Sequence, residues 1–108
     1  MKYAVSVLRR AWSDADRIFE WIASRSPRGA INWSQAFDTA LAELTNDADQ
    51  HSIALESAEL NGAIRQKIFK TRRGRPYRLL FMIIGNDVRV LRVRGPGQSS
   101  VIAEDIQE

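Results

Sequence analysis

The amino-acid sequence predicts an α+β domain of order β-α-α-β-β-β, with an N-terminal strand and a helix hairpin packed on one face of a small, mostly antiparallel, twisted sheet. Three observations lead there. Two successive stretches carry apolar residues at i, i+3, i+4 and i+7, the spacing that gives an α-helix one apolar stripe. Three later stretches alternate at a period of two and are divided by turn residues. A chain of 108 residues amounts to one domain, assigned to residues 1–98 and followed by a short tail at 99–108.

Residues 2–8 alternate, with Tyr3, Val5 and Val7 on one side, and predict the first strand. Ser13 followed by Asp14 and Asp16 predicts a helix start, because a hydroxyl can accept from a free backbone N–H and acids suit the positive end of the helix dipole. Ala15, Ile18, Phe19 and Ile22 supply the apolar stripe, and the helix ends near residues 24–25. Ser26-Pro27 opens a second helix, with Ser as the cap and Pro at the first position, where its missing N–H costs nothing. Its stripe is Ala30, Trp33, Phe37, Ala40, Leu41 and Leu44. So short a break folds the two helices back as an antiparallel hairpin.

Residues 45–62 are polar and acidic, anchored only by Ile53, Leu55 and Leu60, and predict a surface connection closed by Asn61-Gly62. Three strands follow. In 63–70, Ile64, Gln66 and Ile68 oppose Arg65, Lys67 and Phe69. In 76–84 both sides are apolar, which predicts a central strand with both faces at least partly covered. Gly85-Asn86 makes a two-residue hairpin turn. In 87–94, Val88, Val90, Arg92 and Arg94 oppose Arg89, Leu91 and Val93, and Gly95-Pro96-Gly97 ends the strand. The tail holds a slightly apolar stretch at 101–106.

Composition removes several function classes. There is no cysteine, which excludes disulfides, thiolate nucleophiles and Cys-ligated metals. The single histidine, His51, leaves no basis for a His-rich zinc site, so neither metal nor cofactor is expected. No apolar run approaches the roughly 18 residues of a membrane span, and the expected setting is the cytoplasm.

Charge is the informative quantity. The formal net charge is +3, yet residues 63–98 carry ten Lys/Arg against one acid, Asp87, and so hold +9 while the rest of the chain holds −6. Such polarity predicts a basic face for a polyanion or an acidic protein. Arg72, Arg73 and Arg75 sit in a loop where they can meet a nucleic acid or a partner, and Trp21 falls beside its helix stripe, free for a partner contact. Arg78 lies on a largely apolar strand and needs either a phosphate on an open face or an acid such as Glu56 or Glu59. Trp33 belongs to the core stripe, and His51 reads as a surface histidine.

The split helix pair at Ser26-Pro27, the Tyr77-Arg78-Leu79-Leu80-Phe81 strand and the Val90-Leu91-Arg92-Val93-Arg94 strand together resemble the RelE/ParE superfamily of toxins from type II toxin–antitoxin modules. The resemblance covers residues 2–98. It implies a growth-arresting toxin held inactive by a cognate antitoxin, an extended segment of which crosses the sheet and helix hairpin. It implies one of two targets: RelE-like members cleave messenger RNA on the ribosome, and ParE-like members poison DNA gyrase.

For a RelE-like nuclease the resemblance carries Arg65 and Lys67, Arg78, and Arg92 or Arg94 onto the family's basic strand positions. RNA cleavage by a 2′-hydroxyl needs a base, charge stabilisation at the phosphate and an acid for the leaving oxygen. The position after Val-Arg, often His in the family, is Gly95, and the C-terminal Tyr is absent, so the acid would have to be Lys67 or an arginine, which scarcely deprotonates. The ParE-like branch needs only a surface complementary to gyrase and is favoured. A nucleic-acid module without toxicity is the third class that fits a basic sheet.

Overall fold

A computed structural model of the protein describes residues 2–54 and 63–96. Strand β1 (Ala4–Val7) leads into helix α1 (Arg9–Ala23) and helix α2 (Pro27–Asp47), which ends in a single 3-10 turn at Ala48–Gln50. Strands β2 (Arg65–Phe69), β3 (Tyr77–Ile84) and β4 (Asp87–Arg94) complete the chain order. The sheet runs β1-β4-β3-β2, with β1 parallel to β4 and the other neighbours antiparallel. The α+β topology is the expected one. The tail at 99–108 and the Asn61-Gly62 turn lie outside the described residues, as do Glu56 and Glu59.

Local signals decide some boundaries. Ser26 caps α2: its Oγ accepts from the Gly29 N–H at 3.0 Å, with Pro27 at the first helical position. Gly85 takes φ 61°, the left-handed conformation that the tight β3–β4 turn requires.

Other boundaries are set by pairing across the fold. Helix α1 starts at Arg9, not after Ser13, and Leu8 precedes it without any side-chain cap. The reason is that Leu8 is still part of the sheet: its N–H donates to the Val90 carbonyl while its own carbonyl accepts from Trp12. Asp14 therefore falls in the helix interior and is buried, while Asp16 stays exposed. The connection expected from residue 45 also begins later, since α2 continues to Asp47 and buries Ala48 behind it. Beyond it, Ile53 bridges to Arg65 beside β2, and Ala54 is buried.

The helix hairpin covers one face of the sheet. Trp33 and Phe37 stack at 5.4 Å, and Phe37 meets Phe69 of β2 at 5.9 Å. Leu79, Phe81, Val88, Val90 and Val93 complete that core from the sheet. The opposite face carries a smaller cluster of Ala54, Ile64, Leu80 and Leu91, with Leu8 and Met82 against it. Strand β3 is thus central and apolar on both sides, as its sequence predicts.

One irregularity corrects the alternation expected for 87–94. Leu80 pairs with Arg92 while Phe81 pairs with Val90, which leaves Leu91 as the extra residue of a β-bulge. The bulge reverses the phase of the strand. Val93 joins Val88 and Val90 in the helix-facing core, and Arg92 and Arg94 pair across from Leu80 and Arg78 instead of sharing a face with those valines.

Candidate functional site

The arginine predicted to close the last strand is committed to an ion pair inside the fold. Arg92 donates through Nε to Asp14 Oδ2 at 2.7 Å and through Nη2 to Asp14 Oδ1 at 2.8 Å. The same carboxylate accepts from the Val93 N–H at 2.9 Å and from Arg17 Nη2 at 2.7 Å. Strand β1 stops pairing with β4 at Val90, so the Val93 N–H has no strand beside it, and Asp14 takes the place a strand would fill. Asp14 was not foreseen as a paired group. Its signal was present: it occupies the apolar stripe with Ala11, Ala15 and Ile18, where an acid must have a partner.

Arg65 and Lys67 share a face, but it is the face turned to the helices. They pair across from Phe81 and Leu79, both in the helix-facing core. Arg65 Nη1 donates to the His51 carbonyl at 2.6 Å. Lys67, only 6% exposed, contacts Asp47 Oδ2 and Glu43 Oε1, each at 3.2 Å, and lies 3.3 Å from His51 Nε2. His51 is not the free surface residue expected. Its Nε2 lies 3.1 Å from Asp47 Oδ1, and its ring stands edge-on to Phe81. The missed signal is the run Glu43, Asp47, His51, spaced by four: Glu43 and Asp47 align along one face of α2, and His51 follows directly after the 3-10 turn.

Arg78 lies on the other face, paired across from Ile68 and Arg94, and donates to Gln66 Oε1 at 3.1 Å. The five basic residues carried over for a nuclease are therefore divided: Arg65 and Lys67 on one side of the sheet, Arg78 and Arg94 on the other, and Arg92 held by Asp14.

The loop arginines behave differently. A cleft of about 1080 Å³ opens between α1, the start of α2, loop 71–76 and the end of β4, and Arg72, Arg73, Arg75 and Trp21 all line it. Its apolar wall comes from Ile18, Ile22, Trp33, Tyr77 and Val93. Trp33 is 3% exposed, and its Nε1 has no hydrogen-bond partner among the described residues. Burial pushes the Tyr77 hydroxyl above its ordinary range, with the Arg75 charge pulling the other way. The turn that presents the arginines is closed by the Gly74 N–H donating to the Thr71 carbonyl, and a Cβ at Gly74 would collide with the Thr71 hydroxyl. Trp21 is 58% exposed and carries the Arg25 guanidinium 4.0 Å above its ring. An apolar wall with a basic margin suits an amphipathic acidic segment. No helix among the described residues is long and apolar enough to cross a membrane.

Comparison with known proteins places this geometry. A chain from the solved structure of the chromosomal ParDE toxin–antitoxin system from P. aeruginosa superposes with a TM-score of 0.66 over 86% of this chain and 95% of that one, at 21% identity, a likeness of fold. No curated protein matches the chain. The family described as the ParE toxin of the type II toxin–antitoxin system, parDE, matches residues 5–98, which takes in both helices, the bulged β4 and the cleft. From β1 to the lip of that cleft, the chain belongs to the ParE toxin family of type II toxin–antitoxin systems.

Proposed function

We propose that this toxin arrests growth in the cytoplasm by binding DNA gyrase, without chemistry of its own, and that its cleft is where the cognate antitoxin docks. A type II toxin has such an antitoxin as its partner. The observation that carries the gyrase reading is the division of the basic strand residues. A phosphate in flight needs its charges converging on one point within hydrogen-bond reach, and Arg65, Lys67, Arg78 and Arg92 instead hold His51, Asp47, Gln66 and Asp14. A protein–protein inhibitor needs no such convergence.

The antitoxin reading draws support from the cleft's chemistry. Arg72, Arg73 and Arg75 beside Trp33 and Tyr77 complement a segment with acids along one edge and apolar side chains along the other. Reversing the three arginines to Glu is expected to slow association with the antitoxin and flatten its salt dependence.

One observation favours the second reading, a RelE-like ribosome-dependent endoribonuclease: the His51–Lys67 contact supplies two groups able to exchange a proton. Mapping of new messenger RNA 5′ ends minutes after induction, with a gyrase cleavage assay on purified protein, separates the two. Gyrase–DNA cleavage complexes without codon-phased ends are expected. Codon-phased ends in translated regions would overturn the gyrase reading.

A further inference from the structure

A second, smaller cavity of about 260 Å³ opens beside the cleft and shares Asp14 and Arg17 with it. Arg10, Ser13 and Arg92 complete its lining. Arg10, Ser13 and Arg17 are spaced by three and four along α1, so one helix face presents all of them, and Arg92 reaches the same point from β4. The lining thus sets three guanidinium groups against one carboxylate. We propose that this cavity binds a phosphate dianion, either inorganic phosphate or the terminal phosphate of a monoester, held by Arg10, Arg17 and Arg92 with the Ser13 hydroxyl donating as well.

Charge and hydrogen-bonding capacity carry the proposal. Asp14 has about four acceptor positions, and Arg92 Nε, Arg92 Nη2, Arg17 Nη2 and the Val93 N–H take them up. One carboxylate balances one of the three guanidinium charges, which leaves the lining residues with a surplus of two. Asp14 Oδ1 accepts from both Arg17 and Arg92, so the fold itself holds two like charges close together. A phosphate monoester carries about −1.5 to −2 near pH 7 on three acceptor oxygens, which suits that surplus and the three donors around it. A carboxylate, with one charge and two oxygens, suits neither. The floor is also set in advance. Arg92 is 7% exposed and fixed by two bonds to Asp14, so little ordering is left for a ligand to impose, while Ser13 and Arg17 stand exposed at the mouth. Guanidinium groups keep their protons in proteins, so the site binds without chemistry. The inference goes beyond the gyrase and antitoxin readings and depends on neither.

The test is a titration of the full chain, followed by two-dimensional NMR of backbone amides and arginine Nε–H groups, with chloride holding the ionic strength constant. Inorganic phosphate is expected to give saturable shifts at Ser13, Arg17 and Arg92. Arg10→Gln and Arg17→Gln should each weaken the affinity about three- to ten-fold. Arg89→Gln removes an exposed charge outside the cavity and should leave the affinity nearly unchanged. A nucleoside 5′-monophosphate separates the two sources: tighter binding than phosphate identifies a monoester, and binding no tighter identifies the inorganic ion. Shifts that never saturate would overturn the proposal, as would an affinity that Arg10→Gln and Arg17→Gln leave intact. So would acetate binding as tightly as phosphate, which would mark the cavity as a seat for a protein carboxylate.

Discussion

Asp14 and Arg92, 78 residues apart, close a two-pronged ion pair that is buried at both ends and lies where β1 gives out beside β4. The carboxylate also receives the Val93 N–H, so a single side chain completes both the charge balance and the backbone ladder at that edge. Helix α1 is thereby pinned to the strand that carries the bulge.

Removing Asp14 takes from the buried Arg92 guanidinium the carboxylate that accepts from it twice, and takes from the Val93 N–H its acceptor. Asp14→Ala is expected to cost about 3–5 kcal/mol in urea unfolding followed by tryptophan fluorescence. Asp14→Leu combined with Arg92→Met should recover most of that loss. A single-variant cost under about 1 kcal/mol would mean that the pair contributes little beyond shape.

Lys67 offers a second test, because its ammonium neutralises Asp47 and Glu43 from a buried position. Lys67→Met should destabilise by roughly 1–3 kcal/mol, the usual cost of leaving a partly buried polar group unmatched. Toxicity should persist wherever the variant folds, as judged by circular dichroism and growth arrest. Loss of toxicity in a folded variant would return Lys67 to the acid role of a nuclease.

The α2 cap is a local feature with a local cost. Ser26→Ala removes the acceptor for the Gly29 N–H and should cost about 1 kcal/mol. Ser26→Asp keeps an acceptor in place and should leave the urea midpoint nearly unchanged.

Tyr77 sets an alkaline limit. Burial raises its folded pKa above the ordinary 10.0. Below that value both states hold the proton and the stabilisation is complete. Above it the unfolded chain ionises first, so stability declines as pH rises through the folded pKa. Urea midpoints at about pH 9 and about pH 11 should diverge more for the wild type than for Tyr77→Phe.

Gly85 isolates backbone strain from packing. A Cβ there meets nothing within 4 Å, yet φ is 61°. Gly85→Ala should cost about 1–2 kcal/mol through conformation alone, and Gly85→Asn less, measured by the same unfolding assay.

Features whose cause is local were legible in the sequence. Ser26-Pro27 announced its helix because cap and proline act on the next turn. Arg72, Arg73 and Arg75 were recognisable as exposed because a loop with glycine and proline cannot bury them, although their meeting with Trp21 at one cleft could not be read. Features caused by distant pairing stayed hidden. The start of α1 depends on a hydrogen bond from Leu8 to Val90, and the phase of β4 depends on which residue opposite β3 is left over. Lys67 and Arg92 look like surface charges in a list of residues. Only the sheet register and the helix docking reveal that each is buried against acids from the helices.

The parallel pairing of β1 with β4 has a consequence for synthesis. Val5 finds its partner in Val88, at the far end of the domain. At about 5–20 residues per second, roughly 4–17 s separate the two on the ribosome. Until then α1 has no strand to anchor Leu8 and Asp14 has no Arg92. The nascent domain cannot assume its toxic shape before β4 has been made. Danger to the host begins only then, the moment at which a waiting antitoxin first has a finished surface to recognise.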